Sequence, residues 1–341
     1  MSKIKIGIVG AGMWGETHAR IYQDHPCAEI AAVCDSNKSK AENLAQKFGI
    51  RQVYTDYKEF AQKSGCEAVA IVTPDFLHAD ITVACANAKK HMIIEKPFAT
   101  TREDAHRMVE AIEKNQVRVM VDFHNRWSPP FVTGKQAVDS GEIGEPCSAY
   151  FRLNDIKWVP TDMLPWASQS SIIWFLGSHS LDTLRWYFND EVDRVYSVSK
   201  AGLLKSMGVD TVDMYMTTLE FKHGGIAQME NGWISPNGNT NINDIKFNFL
   251  CSKGMIDIDA SSHNMIHMVT DTRTITPDVI VKNYIHNRPK GFAYESIRSF
   301  VDRLVDGNEF EVTLKDAVNT SLALITVLES AKVRKPLKVQ Y

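Results

Sequence analysis

The chain has 341 residues, with 38 lysines and arginines against 41 aspartates and glutamates, for a net charge of −3. Hydrophobic residues make up 44% and charged residues 23%, the balance of a globular protein too long for one ordinary core. No basic stripe or acidic tail stands out and no apolar run reaches the ~18 residues of a membrane span, which argues against nucleic acid and membrane as partners.

Taken in chain order, residues up to about 122 alternate strand and helix. Ile4–Val9 reads as a buried strand, Met13–Gln23 as a helix, Glu29–Cys34 as a strand and Lys38–Lys47 as a helix. Val69–Thr73 and Met92–Ile94 are apolar runs too short for helices; Ala79–Ala88 and Arg102–Lys114 carry helical patterns, and Val117–Val121 closes the series. That rhythm predicts a doubly wound parallel sheet over residues 1–123. Beyond Phe123 the rhythm changes. A short helix over Gly134–Asp139 and another over Ser178–Phe188 precede strands at Val192–Ser199, Thr211–Phe221, Gly225–Trp233, Asp244–Cys251 and Met255–Asp259. Strands in succession imply a large, mostly antiparallel sheet, making residues 124–341 a second, α+β domain. Two helices, Tyr294–Val305 and Leu314–Val333, end the chain.

The six cysteines (27, 34, 66, 85, 147 and 251) have no metal-ligand spacing and read as reduced, mostly buried small hydrophobes. MSKIKIGIVGAG enters a strand with no leader pattern, so a cytoplasmic location is expected. His263 and His267 are four apart, but no third ligand is near in sequence, and no metal is expected.

Gly10-Ala11-Gly12-Met13-Trp14-Gly15 is a G-x-G-x-x-G directly between a strand and a helix, the setting in which that pattern binds dinucleotides. The first glycine allows the turn, the second lets a pyrophosphate approach the backbone, and the third lets helix and strand pack closely. The helix start offers free N–H groups to phosphate. Asp35, 20 residues beyond Gly15, suits the ribose hydroxyls of NAD and would repel a 2′-phosphate; NADP would need Lys38 or Lys40 to meet that phosphate.

Four further motifs follow in order: VTPDFLHAD (72–80), IIEKPFATT (93–101), HNRWSPPF (124–131) and GSHSLDTLRW (177–186). Together they resemble the Gfo/Idh/MocA (glucose–fructose oxidoreductase / inositol dehydrogenase) family, over nearly the whole chain. The resemblance implies a Rossmann domain, a second domain with a large open sheet, and a sugar, inositol or related polyol as substrate. It implies that Glu95-Lys96-Pro97 is the family signature, with a commonly cis Lys–Pro peptide. Lys96 would bond the reacting hydroxyl and exchange its proton, since partial burial lowers a lysine's pKa. Thr73, Pro74, His78, Asn125 and Arg126 match cofactor-lining positions, alongside Met13, Trp14 and Glu95.

The pattern departs in one place. Where the family has D-x-G-x-H, this chain has Phe175-Leu176-Gly177-Ser178-His179. The histidine remains; if the segment is α-helical, Phe175 shares its face where a carboxylate is usual. Asp182 is the first candidate to orient His179, with Asp155 and Asp162 behind it, although Asp182 could instead pair with Arg185. Trp166-Ala167 replaces a Trp–Arg pair, and Trp166 and Phe175 are candidate walls of the substrate pocket. The leading expectation is an NAD-dependent dehydrogenase using Lys96 and His179; a redox-cycling epimerase or lyase and a non-catalytic sensor are the alternatives. A homodimer or homotetramer is expected, with Met214, Met216, Met229 and Trp233 as a candidate apolar face.

Overall fold

The computed structural model describes residues 3–239, 241–261, 265–266, 268–276 and 279–341. His263 and His267 lie outside the described residues. The chain divides into two compact units, one of residues up to 124 together with 282–318, the other of 125–281 and 319–341.

In the first unit β1 (Ile4–Val9), β2 (Ala28–Cys34), β3 (Gln52–Tyr54), β4 (Ala68–Ile71), β5 (His91–Ile94) and β6 (Val119–Val121) form a sheet ordered β3-β2-β1-β4-β5-β6, with every pair parallel. Helices α1 (Met13–Asp24), α2 (Lys38–Phe48), α3 (Tyr57–Lys63), α4 (His78–Asn87) and α5 (Arg102–Asn115) connect the strands. Their starts follow local chemistry: the side chains of Asn37, Asp56 and Thr101 accept the free N–H groups at the starts of α2, α3 and α5. The strand interiors are apolar throughout (Ile6, Ile8, Val69, Ile71, Ile93 and Ile94 are fully buried), as a sheet covered on both faces requires. The strand β3 and helix α3 were not legible in the sequence, where QVYTDYKEF has neither a clear alternation nor a long apolar face.

The second unit contains α6 (Pro129–Asp139), β7 (Pro146–Ile156), α7 (Ser178–Phe188), β8 (Val192–Ala201), a single helical turn α8 (Leu203–Ser206), β9 (Val212–Phe221), β10 (Ile226–Ser235), β11 (Asn243–Cys251) and β12 (Met255–Asp259). A small hairpin follows, β13 (Met268–Val269) with β14 (Thr274–Ile275). The main sheet runs β12-β11-β7-β10-β9-β8 and closes with β17 (Leu337–Lys338). It is antiparallel except where β7 and β10 pair in parallel, so the expected α+β architecture is present. The surprise is β7 itself, an eleven-residue central strand. Helix α6 also starts five residues earlier than expected, at Pro129, because proline suits a first helical turn. Helix α7 packs on β7 and β10, over an aromatic core of Phe131, Phe151, Tyr187, Phe247 and Phe249.

Two expectations are corrected. The segment 282–318, expected in the second domain, belongs with the first unit: β15 (Asn283–Ile285), β16 (Arg288–Lys290) and α9 (Phe292–Asp306) gather there, and α9 lies along α1. Arg298 pairs with Asp24 at 2.7 Å and Asp302 with His25 at 3.1 Å, contacts between residues far apart in sequence. Helix α10 (Leu314–Val333) completes the elements. The expected apolar face is also split by strand alternation. Met229 pairs across the sheet with buried Thr217 and, like Trp233, points into the core, whereas Met216 pairs with Glu230 on the opposite face. No helix among the described residues is long and apolar enough to cross a membrane.

Candidate functional site

The carboxyl ends of β1, β4, β5 and β6 bring four short loops together, the place where open parallel sheets bind ligands. At the first loop Gly10 has φ +108°, and a Cβ there would come 2.5 Å from the Val72 carbonyl oxygen. A Cβ on Gly15 would come 2.0 Å from the Gly10 oxygen, so helix α1 reaches the strand only because that position is glycine. Gly12 is different: a Cβ there meets no atom within 4 Å, so the backbone is open to a ligand. Met13, the first residue of α1, is 62% exposed beside it.

Asp35, just past β2, ties this loop down. Its carboxylate accepts the Ala11 N–H at 2.7 Å through Oδ2 and the Asn37 N–H at 2.8 Å through Oδ1. Each oxygen keeps a lone pair for a ribose hydroxyl. Across the switch point, the Thr73 hydroxyl is buried with no hydrogen-bond partner, and Pro74 leads a 3-10 turn, Asp75–Leu77. A buried unsatisfied hydroxyl costs free energy unless something binds it. Together with the open space at Gly12, this fits a dinucleotide.

His78 does something other than line that space. It is fully buried, and its ring nitrogens lie 2.8 Å from the Pro97 oxygen and 3.0 Å from the Thr73 oxygen. A neutral ring has a single N–H, and the shorter contact gives it to the Pro97 oxygen of the Lys96–Pro97 peptide, which is cis as the resemblance implies. Burial pushes its pKa down. Lys96 itself is half-buried at the end of β5.

Behind Lys96 lies a cluster that the sequence did not announce. The β5–β6 register pairs Ile94 with Val121, so the next residues, Glu95 and Asp122, stand side by side. His18, one turn beyond Gly15 on α1, places Nε2 3.2 Å from Glu95 Oε1 and Nδ1 2.9 Å from the Tyr22 hydroxyl. Trp14 turns inward rather than towards solvent: the Lys282 ammonium sits 4.3 Å from its ring and the His124 ring 6.4 Å away. Burial, reinforced by each other's charge, pushes the Asp122 carboxyl up to about 8; burial raises Glu95 to about 7, against the pull of Lys96. Burial lowers His18 to about 4 and His124 to about 3. The signals in sequence were an acid ending the apolar run VRVMV and a histidine one turn past the glycines, but only the strand register joins them.

In the second unit His179 is buried on the first turn of α7. The preceding Ile173–Gly177 is a π-helical turn rather than α-helical, so the four-residue spacing does not stack Phe175 simply on His179. Phe175 instead lies between Trp166 (6.4 Å) and fully buried Trp233 (6.3 Å).

Asp182, first choice to orient His179, is wholly buried and taken by Arg126: Nε donates to Oδ2 at 2.9 Å and a terminal nitrogen to Oδ1 at 2.7 Å. Arg185, the partner considered for Asp182, pairs with Glu191 instead, at 2.8 and 2.7 Å. Asn125 donates to the Thr183 hydroxyl at 3.2 Å, and that hydroxyl donates to the His179 carbonyl at 2.8 Å. Asn125 and Arg126, expected beneath the cofactor, thus hold the helix that carries His179. Of the lesser candidates, Asp155 is buried and accepts from Asn243, while the exposed Asp162 accepts from Thr161 on a π turn. Among the described residues the group with metal-ligating potential is His18, Glu95 and Asp122, whose atoms lie within 4.8 Å of one another.

The family model described as "Oxidoreductase family, NAD-binding Rossmann fold" matches residues 4–123, and the "GFO/IDH/MocA C-terminal domain" matches residues 131–257. Inositol 2-dehydrogenase of Salmonella typhimurium is 33% identical over 209 residues, which is 60% of this chain and 61% of the relative, short of two thirds of its length. scyllo-Inositol 2-dehydrogenase (NAD(+)) of Bacillus subtilis is 27% identical, covering 79% of this chain and 77% of its own. The crystal structure of scyllo-inositol dehydrogenase from Lactobacillus casei with bound NAD(H) and scyllo-inositol superposes with a TM-score of 0.84 at 19% identity, over 99% of each chain.

Proposed function

The chain belongs to the Gfo/Idh/MocA family of oxidoreductases, and on that footing we propose that it is an NAD-dependent dehydrogenase acting on a secondary alcohol of an inositol, sugar or related polyol. The observation that carries this reading is the cradle at the sheet's carboxyl edge: open backbone at Gly12 and an orphaned Thr73 hydroxyl, on the same strand ends as Lys96. Gly10, Gly12, Met13 and Gly15 hold the pyrophosphate at the start of α1, and Asp35 accepts the ribose hydroxyls. A 2′-phosphate would face the Asp35 carboxylate, which favours NAD over NADP.

Bound nicotinamide supplies the hydride acceptor. The protein supplies the proton chemistry: Lys96, half-buried, bonds the reacting oxygen and takes up or returns its proton. His179, Trp166 and Phe175 are the second unit's substrate contacts. Asp182 acts at one remove, since its pairing with Arg126 fixes the helix under His179. His78 likewise positions Lys96 through the Pro97 carbonyl. Two copies of the chain meet through the outer face of the second sheet, which exposes Tyr196, Val198, Met216, Ile226, Leu250 and Met255.

The test is Lys96→Met, assayed for NADH formation against inositols, sugars and sugar acids. Turnover should fall by about 10³-fold or more while NAD still binds. Retained turnover would remove Lys96 from the reaction; turnover by the unaltered protein without net NADH would replace the dehydrogenase with a redox-cycling enzyme.

A further inference from the structure

Nothing in the proposed chemistry uses Asp122, yet it is wholly buried beside another acid. Its place is set by backbone. The Asp122 N–H donates to the Ile94 oxygen at 2.9 Å and the Glu95 N–H to the Ile71 oxygen at 2.9 Å, continuing the parallel ladder by one residue on each strand. The sheet therefore sets the two residues side by side, with their carboxyls facing the same buried space. Neither Asp122 oxygen has a well-aligned hydrogen-bond partner, although the carboxyl lies against Glu95 and the Ser296 hydroxyl of α9.

The groups facing the pair are few. From α1 come His18, bonded to Glu95, and Tyr22, bonded to His18. Lys96 follows Glu95 directly, and His124 lies two residues beyond Asp122. Lys282 lies over Trp14, whose indole leans towards Glu95. His18 is 1% exposed, and burial keeps it neutral near pH 7. Its two contacts serve either state of Glu95: the ring donates from Nε2 to a carboxylate and accepts from Tyr22, or accepts from a carboxylic acid and donates to Tyr22.

We infer that Glu95 and Asp122 hold one proton between them, and that Asp122 is thereby a positioning residue that fixes the charge behind Lys96. Two ionised carboxylates in contact inside a low-dielectric interior repel each other strongly, so the first proton stays. With one proton held, the pair carries a single negative charge. Loss of that proton would double the charge beside Lys96, favour its ammonium form and withdraw the neutral amine that accepts a proton from the alcohol. A divalent cation is the rival occupant, since three potential ligand atoms lie within 4.8 Å. The bond between His18 and Glu95 and the burial of the pair favour the proton.

This inference rests on the Lys96 reading for its consequence but not for its first test. Infrared spectra of the full-length wild-type protein, compared across a pH series, should show the carbonyl stretch of a protonated carboxyl at pH 7 that fades at higher pH. The component that fades near pH 8 should be absent in Asp122→Asn, which keeps only the Glu95 carboxyl, and still present in Lys96→Met. The pH profile of kcat/KM should lose one ionisation above neutrality in Asp122→Asn, while activity at pH 7 falls less than tenfold, and Asp122→Glu should restore the ionisation. No protonated carboxyl in the wild type, persistence in Asp122→Asn of the component that fades near pH 8, an unchanged pH profile, or one equivalent of tightly bound divalent metal in the purified protein would each overturn the inference. If Asp122→Asn fails to fold, the wild-type spectra alone decide it. Inactivity of every variant and of the wild type alike, with the carboxyl band present, would fault the dehydrogenase reading and leave the shared proton standing.

Discussion

Each unit buries ionisable groups, and the two solve the cost of doing so in opposite ways. In the second, Asp182 meets the Arg126 guanidinium through two parallel bonds, and Arg185 meets Glu191 in the same fashion. Charge is kept and matched. In the first, Glu95 and Asp122 face each other and a neutral imidazole, and burial drives all three towards their uncharged forms. Charge is limited by keeping or refusing protons. The proton-holding cluster is the one raised to titrate near neutrality. The difference follows position: the pH-sensitive cluster adjoins Lys96, the lysine proposed to exchange a proton, while the Arg126–Asp182 pair fixes a helix in place.

The largest effect should come from unmatching a pair. Arg126→Leu removes the bidentate partner of the buried Asp182 carboxylate, and breaking a buried pair from one side costs about 3–5 kcal/mol. Chemical denaturation at pH 7 measures it. Adding Asp182→Leu should recover part of that loss, because removing both partners of a pair costs less than removing one. Equal and additive losses would mean that the two residues are not energetically coupled.

The proton-holding cluster should show itself in the pH dependence of stability. Glu95 and Asp122 rise from ordinary carboxyl values to about 7 and about 8 in the fold. The stability they contribute is full below the unfolded values near 4 and is lost as pH rises through 7 and 8. His18 and His124 shift the other way, to about 4 and about 3, so their part is present above the unfolded value of 6.5 and lost as pH falls towards 4 and 3. Between about pH 4.5 and 6.5 the two trends oppose, giving a plateau. Above it stability should fall. Asp122→Asn should abolish most of that fall and be more stable than the wild type at pH 8 by about 1–3 kcal/mol, read from denaturation midpoints at pH 6 and pH 8. A wild-type stability rising between those values would contradict the sign.

What sequence could reveal divides along the same line. The parallel sheet and its helices were legible because apolar strand runs and helical patterns are local. The glycine turn and Glu95-Lys96-Pro97 are contiguous motifs. Strand β7 escaped because PCSAYFRLNDI opens on proline and mixes Arg152, Asn154 and Asp155 into its run; its neighbours β10 and β11, not its own pattern, make it central. The membership of 282–318 in the first unit rests on partners such as Arg298 and Asp24, which no window of sequence joins. At the site, Arg126 and Asp182 were both singled out, but for cofactor and histidine rather than for each other, because 56 residues separate them. The pairing of Glu95 with Asp122 needed a strand register, and the π turn before His179 has no periodicity of its own to betray it.

A neutral hydrogen bond provides the smallest and most discriminating contrast between the two solutions. Thr183 donates to the His179 carbonyl at 2.8 Å and accepts from Asn125 at 3.2 Å, with no ionisable group in the link. Thr183→Val keeps the shape, removes both bonds and leaves the Asn125 amide short of an acceptor. The expected loss is about 1–2 kcal/mol, the range for a buried neutral bond with one partner stranded. That loss should be the same at pH 6 and pH 8, because neither Thr183 nor Asn125 titrates. Helix α7 has a second tie in Arg126–Asp182, so His179 should keep its place and turnover should change only a few-fold. A Thr183→Val penalty that grew with pH would mean that proton-dependent energetics reach the second unit as well, and the contrast between matched charge and held protons would no longer separate the two.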